Sequence, residues 1–414
     1  MSGDDAVAAS GEIEARPVRC ELAIGIVTYN NAATVAGVAA TARHALEKHF
    51  PGVPAVLIDA DSGSTDATRE LVEAADLASV GLRYEAPPAE RVAVPFHGVP
   101  DRAAALRAIV GTARRLGARA LVLLEADVTS ITDDWIALLA GPAWEGRADL
   151  VIAAHARHRY DGTVTSFLLA PLVRALFGCR LQQPLSGAMA FSGRLVEYLA
   201  DRPEQLAPGA APELGLVGSL AADGFGLCET WLGPRRVESP TRPSDLPTLV
   251  AQTLGAIFTA METLEPLWLG TRGATATTVI GGPCAPSNEP REIDVERMVD
   301  AFRRGLRDLT PVWELVLAPE TFGDVLSLDA PDQTGFRFSD ELWARTVYDF
   351  ALAFHYRVVH REHLLRSLVP LYLGRTAAYV LATRARDAAA AAAHVETAAA
   401  AFERQKPYLD ERWR

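Results

Sequence analysis

The chain predicts an α/β protein, a mostly parallel sheet in its first part followed by a helical part. Three observations carry this. Apolar runs suited to strands buried on both faces alternate with helical stretches from residue 20 to about residue 240. Two of those runs stop abruptly at carboxylates, as strands do at the rim of an open sheet, where ligands bind. From Asp245 onward only helical periodicity appears, apart from a Gly/Pro/Thr-rich connection at 269–290.

At 414 residues the chain exceeds what one hydrophobic core usually supports, so one large domain plus a second region is expected. Residues 1–19 are polar and acidic and read as a disordered leader, 20–240 as the α/β domain and 241–414 as a helical domain. A formal charge of −12 argues against a nucleic-acid surface. The cysteines, Cys20, Cys179, Cys228 and Cys284, form no close pair, which suits a reducing cytoplasm. No stretch offers the ~18 charge-poor apolar residues of a membrane span.

In order, residues 22–28 form a first strand and 32–48 a helix. Residues 55–58 form a second strand, ending in Asp59-Ala60-Asp61-Ser62-Gly63-Ser64-Thr65-Asp66, and 67–75 a helix. A short strand at 80–84 and a helix at 101–115 lead to the run Leu121-Val122-Leu123-Leu124, which ends in Glu125-Ala126-Asp127. Thr132 then caps a new helix. Residues 150–154 and 225–232 are further strands, and 163–177, 194–199 and 213–222 are helices. Residues 388–401 are mostly alanine and helical by propensity. Leu342, Val347, Phe350, Ala351 and Phe354 fall at helical spacing and read as packing positions, against the sheet or in an oligomer interface.

Two loops carry nucleotide-type chemistry. Asp61 is placed to accept hydrogen bonds from a base or ribose, and Asp66 to cap a helix. With Thr28, Tyr29 and Asn30 on the neighbouring strand end, this turn reads as a nucleotide cleft. In extended backbone Glu125 and Asp127 point the same way. Two such carboxylates suit Mg²⁺ or Mn²⁺, with phosphate oxygens completing the shell. His155-Ala156-Arg157-His158-Arg159-Tyr160 is the basic cluster nearest the cleft, and Arg157 suits an anionic acceptor. The Gly-rich basic loop of a nucleotidyltransferase is absent from residues 28–32.

Together, Thr28-Tyr29-Asn30, the Asp59–Asp66 turn and the Glu125/Asp127 pair resemble the GT-A nucleotide-sugar glycosyltransferases (glycosyltransferase family 2-like). Among them, the retaining mannosylglycerate and glucosylglycerate synthases are most similar. Glu125-Ala126-Asp127-Val128-Thr129-Ser130, Gln183-Pro184-Leu185-Ser186-Gly187 and Phe336–Trp343 look like the family's metal stretch, sugar-site turn and C-terminal helices, over roughly residues 20–405. The resemblance implies a GT-A domain, a Rossmann-like mostly parallel sheet, followed by a helical C-terminal domain. It implies a metal-dependent, retaining hexosyltransferase, taking GDP-mannose or UDP/GDP-glucose as donor and a small polar acceptor such as glycerate. Thr28, Tyr29, Asn30, Asp59, Asp61, His97, Arg102 and Glu125 would then hold the donor. Arg157, suggested by its charge, and Gln183, Leu185, Ser186 and Gly187 would hold sugar and acceptor, with Asp127 and Glu213 catalytic. Glu125, Asp127 and Glu238 would hold the metal. On its residues alone Glu213 is a first-turn helix acid favoured by the dipole.

The chain departs from the family at four places. Glu125 stands where Asp is usual, and Ala188 where the family has Glu. His97-Gly98-Val99-Pro100-Asp101-Arg102 replaces a Gly-Lys-Gly loop. The segment 232–239 lacks the metal-binding histidine, leaving Glu238 as the nearest substitute. These departures motivate an alternative: a protein of this shape that binds a nucleotide sugar or a partner without transfer.

Overall fold

β1 (Leu22–Thr28) is buried along its whole length, with alternate residues feeding two separate cores. That is what a central parallel strand, covered on both faces, requires. The computed structural model describes residues 20–84, 99–206, 211–238, 245–282, 292–329 and 335–413. The expected leader, His97 and the expected boundary at residue 240 lie outside them.

After β1 come α1 (Val35–His49), β2 (Ala55–Asp61), α2 (Thr68–Glu73), β3 (Ser79–Arg83), α3 (Arg102–Arg115) and β4 (Ala120–Glu125). Next are α4 (Asp133–Trp144), β5 (Leu150–Ala156), a π-helical turn (Thr165–Leu169), α5 (Ala170–Phe177) and β6 (Cys179–Arg180). β7 (Met189–Ser192), α6 (Gly193–Asp201), α7 (Glu213–Ala222) and β8 (Leu227–Pro234) complete the first part. The second part contains α8 (Leu246–Thr263), α9 (Glu265–Gly270), β9 (Thr275–Ala276), β10 (Thr278–Ile280), α10 (Val295–Asp308), α11 (Thr310–Val316) and α12 (Pro319–Ser327). It ends with α13 (Asp340–His355), α14 (Arg361–Ser367), α15 (Val369–Thr383) and α16 (Ala388–Arg412).

The main sheet has the order β10-β8-β5-β7-β4-β1-β2-β3. Its pairings are parallel except those of β7, which runs antiparallel between β4 and β5. The chain winds outward from β1 through β2 to β3, then crosses to β4 on the other side. The carboxyl ends of β1 and β4 therefore flank a topological switch point, where open α/β sheets bind ligands. α3 packs closely there: a Cβ on Gly25 would sit 2.6 Å from Ile109 Cγ2 and 2.8 Å from Leu123 Cδ2.

The architecture is the expected one, a mostly parallel Rossmann-like sheet followed by a helical region. Two details differ. β7 fills a stretch with no apolar run of its own before Met189. β9 and β10 fall in the connection expected to be irregular, and β10 joins the main sheet beside β8. The helical part packs back on the first part. Trp343 Nε1 donates to the Phe167 carbonyl at 2.7 Å, and Arg174 on α5 pairs with Glu396 and Glu403 on α16, both at 2.6 Å. Among the described residues no helix is long and apolar enough to cross a membrane.

Candidate functional site

Two turns leave neighbouring strands at the carboxyl edge. Thr28, the last residue of β1, donates its hydroxyl to Asp59 Oδ1 at 2.8 Å. Asp61 ends β2, and its Oδ1 accepts from the Ser64 amide at 2.9 Å and the Ser64 hydroxyl at 2.7 Å. Asn30, at φ 54°, donates its amide to Ser64 Oγ and accepts from the Thr65 amide, each at 2.9 Å. The side chains of Thr28 and Asn30 thus knit the two turns together, while Tyr29 stays half-buried. Asp61 Oδ2 is buried with no hydrogen-bond partner among the described residues, and Arg69 stands 3.9 Å away. Burial pushes Asp59 up to about 7 against the Thr28 hydrogen bond, and the charge of Asp61 adds to the rise.

The acidic pair sits one strand over. β4 ends at Glu125, and Ala126-Asp127 is a turn rather than the extended backbone expected. The two carboxylates still feel each other. Burial, and then the charge of Glu125, push Asp127 up to about 6. Glu125 lies flat against Gly187, where a Cβ would come within 2.1 Å of its carboxylate and where φ is +85°. Only glycine fits both conditions.

A second strand end is laid across this one. Val128 bridges Val237, the Glu238 amide donates to the Asp127 carbonyl at 3.0 Å, and the Thr129 amide to the Arg236 carbonyl at 3.0 Å. Ser130 Oγ donates to the Pro234 carbonyl at 3.0 Å and accepts from the Arg236 amide at 2.9 Å. This short ladder sets Arg235 over Glu125, with Nη2 at 2.7 Å and Nε at 2.9 Å from Oε2. Sequence reasoning noted the missing histidine in this segment and overlooked the arginine. Two consecutive cations after a core strand, in an acidic chain, were the available signal.

Arg102, expected against a phosphate, is instead buried in an ion pair. Its Nε donates to Glu213 Oε1 at 2.7 Å and its Nη2 to the Gly187 carbonyl at 3.2 Å. Glu213, the first residue of α7, is buried too, and its Oε2 has no hydrogen-bond partner among the described residues.

Gln183 donates Nε2 to the His155 carbonyl at 2.8 Å, while Glu229 Oε1 accepts from the Gln182 and Gln183 amides at 2.8 and 3.0 Å. Burial pushes Glu229 up to about 7. This acid underpins the turn that begins at Gln182 and was not foreseen. Ser186 donates to the Ala188 carbonyl at 3.0 Å, and Leu185 is core. Of the basic cluster, Arg159 turns away to the Arg386 carbonyl, and the His155 ring packs on Trp135, burial holding it neutral with a pKa of about 4. Arg157 lies within electrostatic reach of the Glu125 carboxylate. Burial and then the charge of Arg235 lower it to about 10.

Among the described residues no group of three or more acids, histidines and cysteines forms a metal centre by itself. Glu125 and Asp127 do fit a divalent cation as two carboxylates completed by phosphate oxygens. Asp127 is raised by a neighbouring negative charge, so a cation there relieves an existing repulsion. Glu238 reaches the site through its backbone, and its side chain is exposed.

Fold and site together define a doubly wound α/β protein with an acidic, arginine-flanked sheet edge at its switch point. No protein-family description matches the chain, and no curated protein does. Among solved structures it is similar to glucosyl-3-phosphoglycerate synthase from Mycobacterium tuberculosis. With Mg²⁺ and UDP, that structure is 26% identical, with a TM-score of 0.42, over 59% of this chain and 79% of that one. With Mn²⁺, UDP and glucosyl-3-phosphoglycerate the identity is 25% and the TM-score 0.41, at the same coverage. With Mn²⁺, UDP-glucose and phosphoglyceric acid the identity is 24% and the TM-score 0.41, again at that coverage. These TM-scores mark a partial superposition, and the chemistry proposed for this chain rests on its own residues.

Proposed function

We propose that this chain is a glycosyltransferase that moves a hexose from a nucleoside diphosphate sugar to a small anionic acceptor. The carrying observation is the placement of Glu125 and Asp127 at the switch point, between the Asp59–Asp66 turn and Arg157. Asp61, through its unbonded buried oxygen, would take a hydrogen bond from the nucleoside. Glu125 and Asp127 would hold Mg²⁺ or Mn²⁺ with the diphosphate oxygens, and the bound cation supplies neutralisation of charge on the leaving diphosphate. Arg157 would bind the acceptor's carboxylate or phosphate, as guanidinium forks do. Glu213, paired with the same Arg102 that bonds the Gly187 carbonyl, keeps one oxygen unbonded and suits a hydroxyl of sugar or acceptor. Retention at the anomeric carbon is what the resemblance implies, and NMR of the product would read it.

The donor is UDP- or GDP-linked glucose or mannose, and phosphoglycerate and glycerate are the acceptors to try first. The test is calorimetry with UDP and GDP, with and without Mn²⁺, followed by transfer assays on those donors and acceptors. Metal-dependent nucleotide binding is expected, lost at least tenfold in Asp127→Ala. Absence of any nucleoside diphosphate binding would end the reading. The engagement of Glu125 by Arg235 favours a second reading, in which donor binds but no sugar is moved. Tight donor binding without transfer or hydrolysis would support that second reading.

A further inference from the structure

We infer that Arg235 is a placeholder cation that keeps the acidic pair closed to a divalent metal until a nucleoside diphosphate arrives. The inference rests on the functional reading above and adds an order of binding to it. Three features of the cleft lead to it. First, the guanidinium already occupies Glu125, with two nitrogens on the one oxygen, Oε2. A divalent ion approaching Glu125 meets a like charge in contact with its own ligand. Second, the two partners differ in freedom. Glu125 is 5% exposed and walled in by Gly187, whereas the Arg235 side chain is 26% exposed. The carboxylate stays and the guanidinium is the group that can leave. Third, Arg157 places a second positive charge within electrostatic reach of both Arg235 and Glu125. Once a metal takes Glu125, Arg235 is left between cations.

A diphosphate resolves this conflict by presenting several anionic oxygens at once. It completes the shell of the metal and gives the displaced guanidinium a new charge-assisted partner. Metal and nucleotide then bind cooperatively, each raising the affinity for the other by the same factor. Without nucleotide, the internal cation holds the place and metal binding is weak.

The test uses Mn²⁺ titration of the full chain, followed by electron paramagnetic resonance of free Mn²⁺, with and without UDP. Wild type should bind Mn²⁺ at least tenfold more tightly with UDP than without. Arg235→Gln should bind Mn²⁺ without UDP about tenfold more tightly than wild type, with a correspondingly smaller effect of UDP. Arg235→Lys, which keeps the charge, should resemble wild type and control for loss of the side chain's packing. Near-ultraviolet circular dichroism of each variant confirms the fold. Nucleotide-free Mn²⁺ affinity that is unchanged or weaker in folded Arg235→Gln overturns the inference. Its failure is separate from failure of the functional reading: the latter shows as wild type that binds no UDP with Mn²⁺ present.

Discussion

Asp59 shows how a single side chain can make this fold sensitive to pH. Its carboxyl is buried on β2 with a pKa of about 7, above the usual carboxylate value. An acid raised in the folded state binds its proton more tightly there than in the unfolded chain. Its contribution to stability is complete below about pH 4 and is lost as pH rises through about 7. Glu229, also raised to about 7, acts in the same direction. Wild type should therefore melt at a higher temperature at pH 5 than at pH 8 from these two groups. Asp59→Asn keeps an acceptor for the Thr28 hydroxyl and removes the charge. It should flatten that difference by about 1–4 kcal/mol, read as melting temperature across pH 4–8 in paired samples. A variant with the wild-type slope would show that Asp59 does not carry it.

At the scale of elements, the Arg102–Glu213 pair ties the start of α3 to the start of α7 and to the Gly187 turn between them. Removing one partner leaves the other charged and buried. Arg102→Ala should cost about 3–5 kcal/mol in denaturant unfolding, far more than a surface ion pair. An apolar replacement of both residues should recover most of that stability while abolishing activity. Arg102 also marks where sequence reading stopped. Its charge and its loop position suggested a phosphate contact, because a sequence does not show that Glu213, 111 residues on, closes over it. β1, β2, β4 and β5 were legible because a strand covered on both faces must be apolar throughout. β7 was not, since four residues, Met189-Ala190-Phe191-Ser192, carry too short a pattern to separate from a buried loop. The acidic pair was legible as composition at a strand end. Its turn geometry, and the Arg235 clamp over it, depend on a ladder between residues 127–130 and 234–238 that no local pattern announces.

Across the whole molecule, the helical part reaches the cleft through the segment that carries Arg157. Tyr379 on α15 donates its hydroxyl to the Arg159 carbonyl at 3.0 Å, and Tyr372 on the same helix bonds Thr163 through its hydroxyl. Tyr379→Phe should raise the KM for an anionic acceptor severalfold, leaving UDP and Mn²⁺ affinity as in wild type. Steady-state kinetics with acceptor varied, beside nucleotide calorimetry, measures both. An equal loss of nucleotide affinity would mean that α15 supports the sheet as a whole rather than this arm. Arg159 and Tyr379 are 220 positions apart in the chain. On the proposed reading, acceptor preference can therefore drift through changes in a distant helix, while the nucleotide half of the site stays as it is.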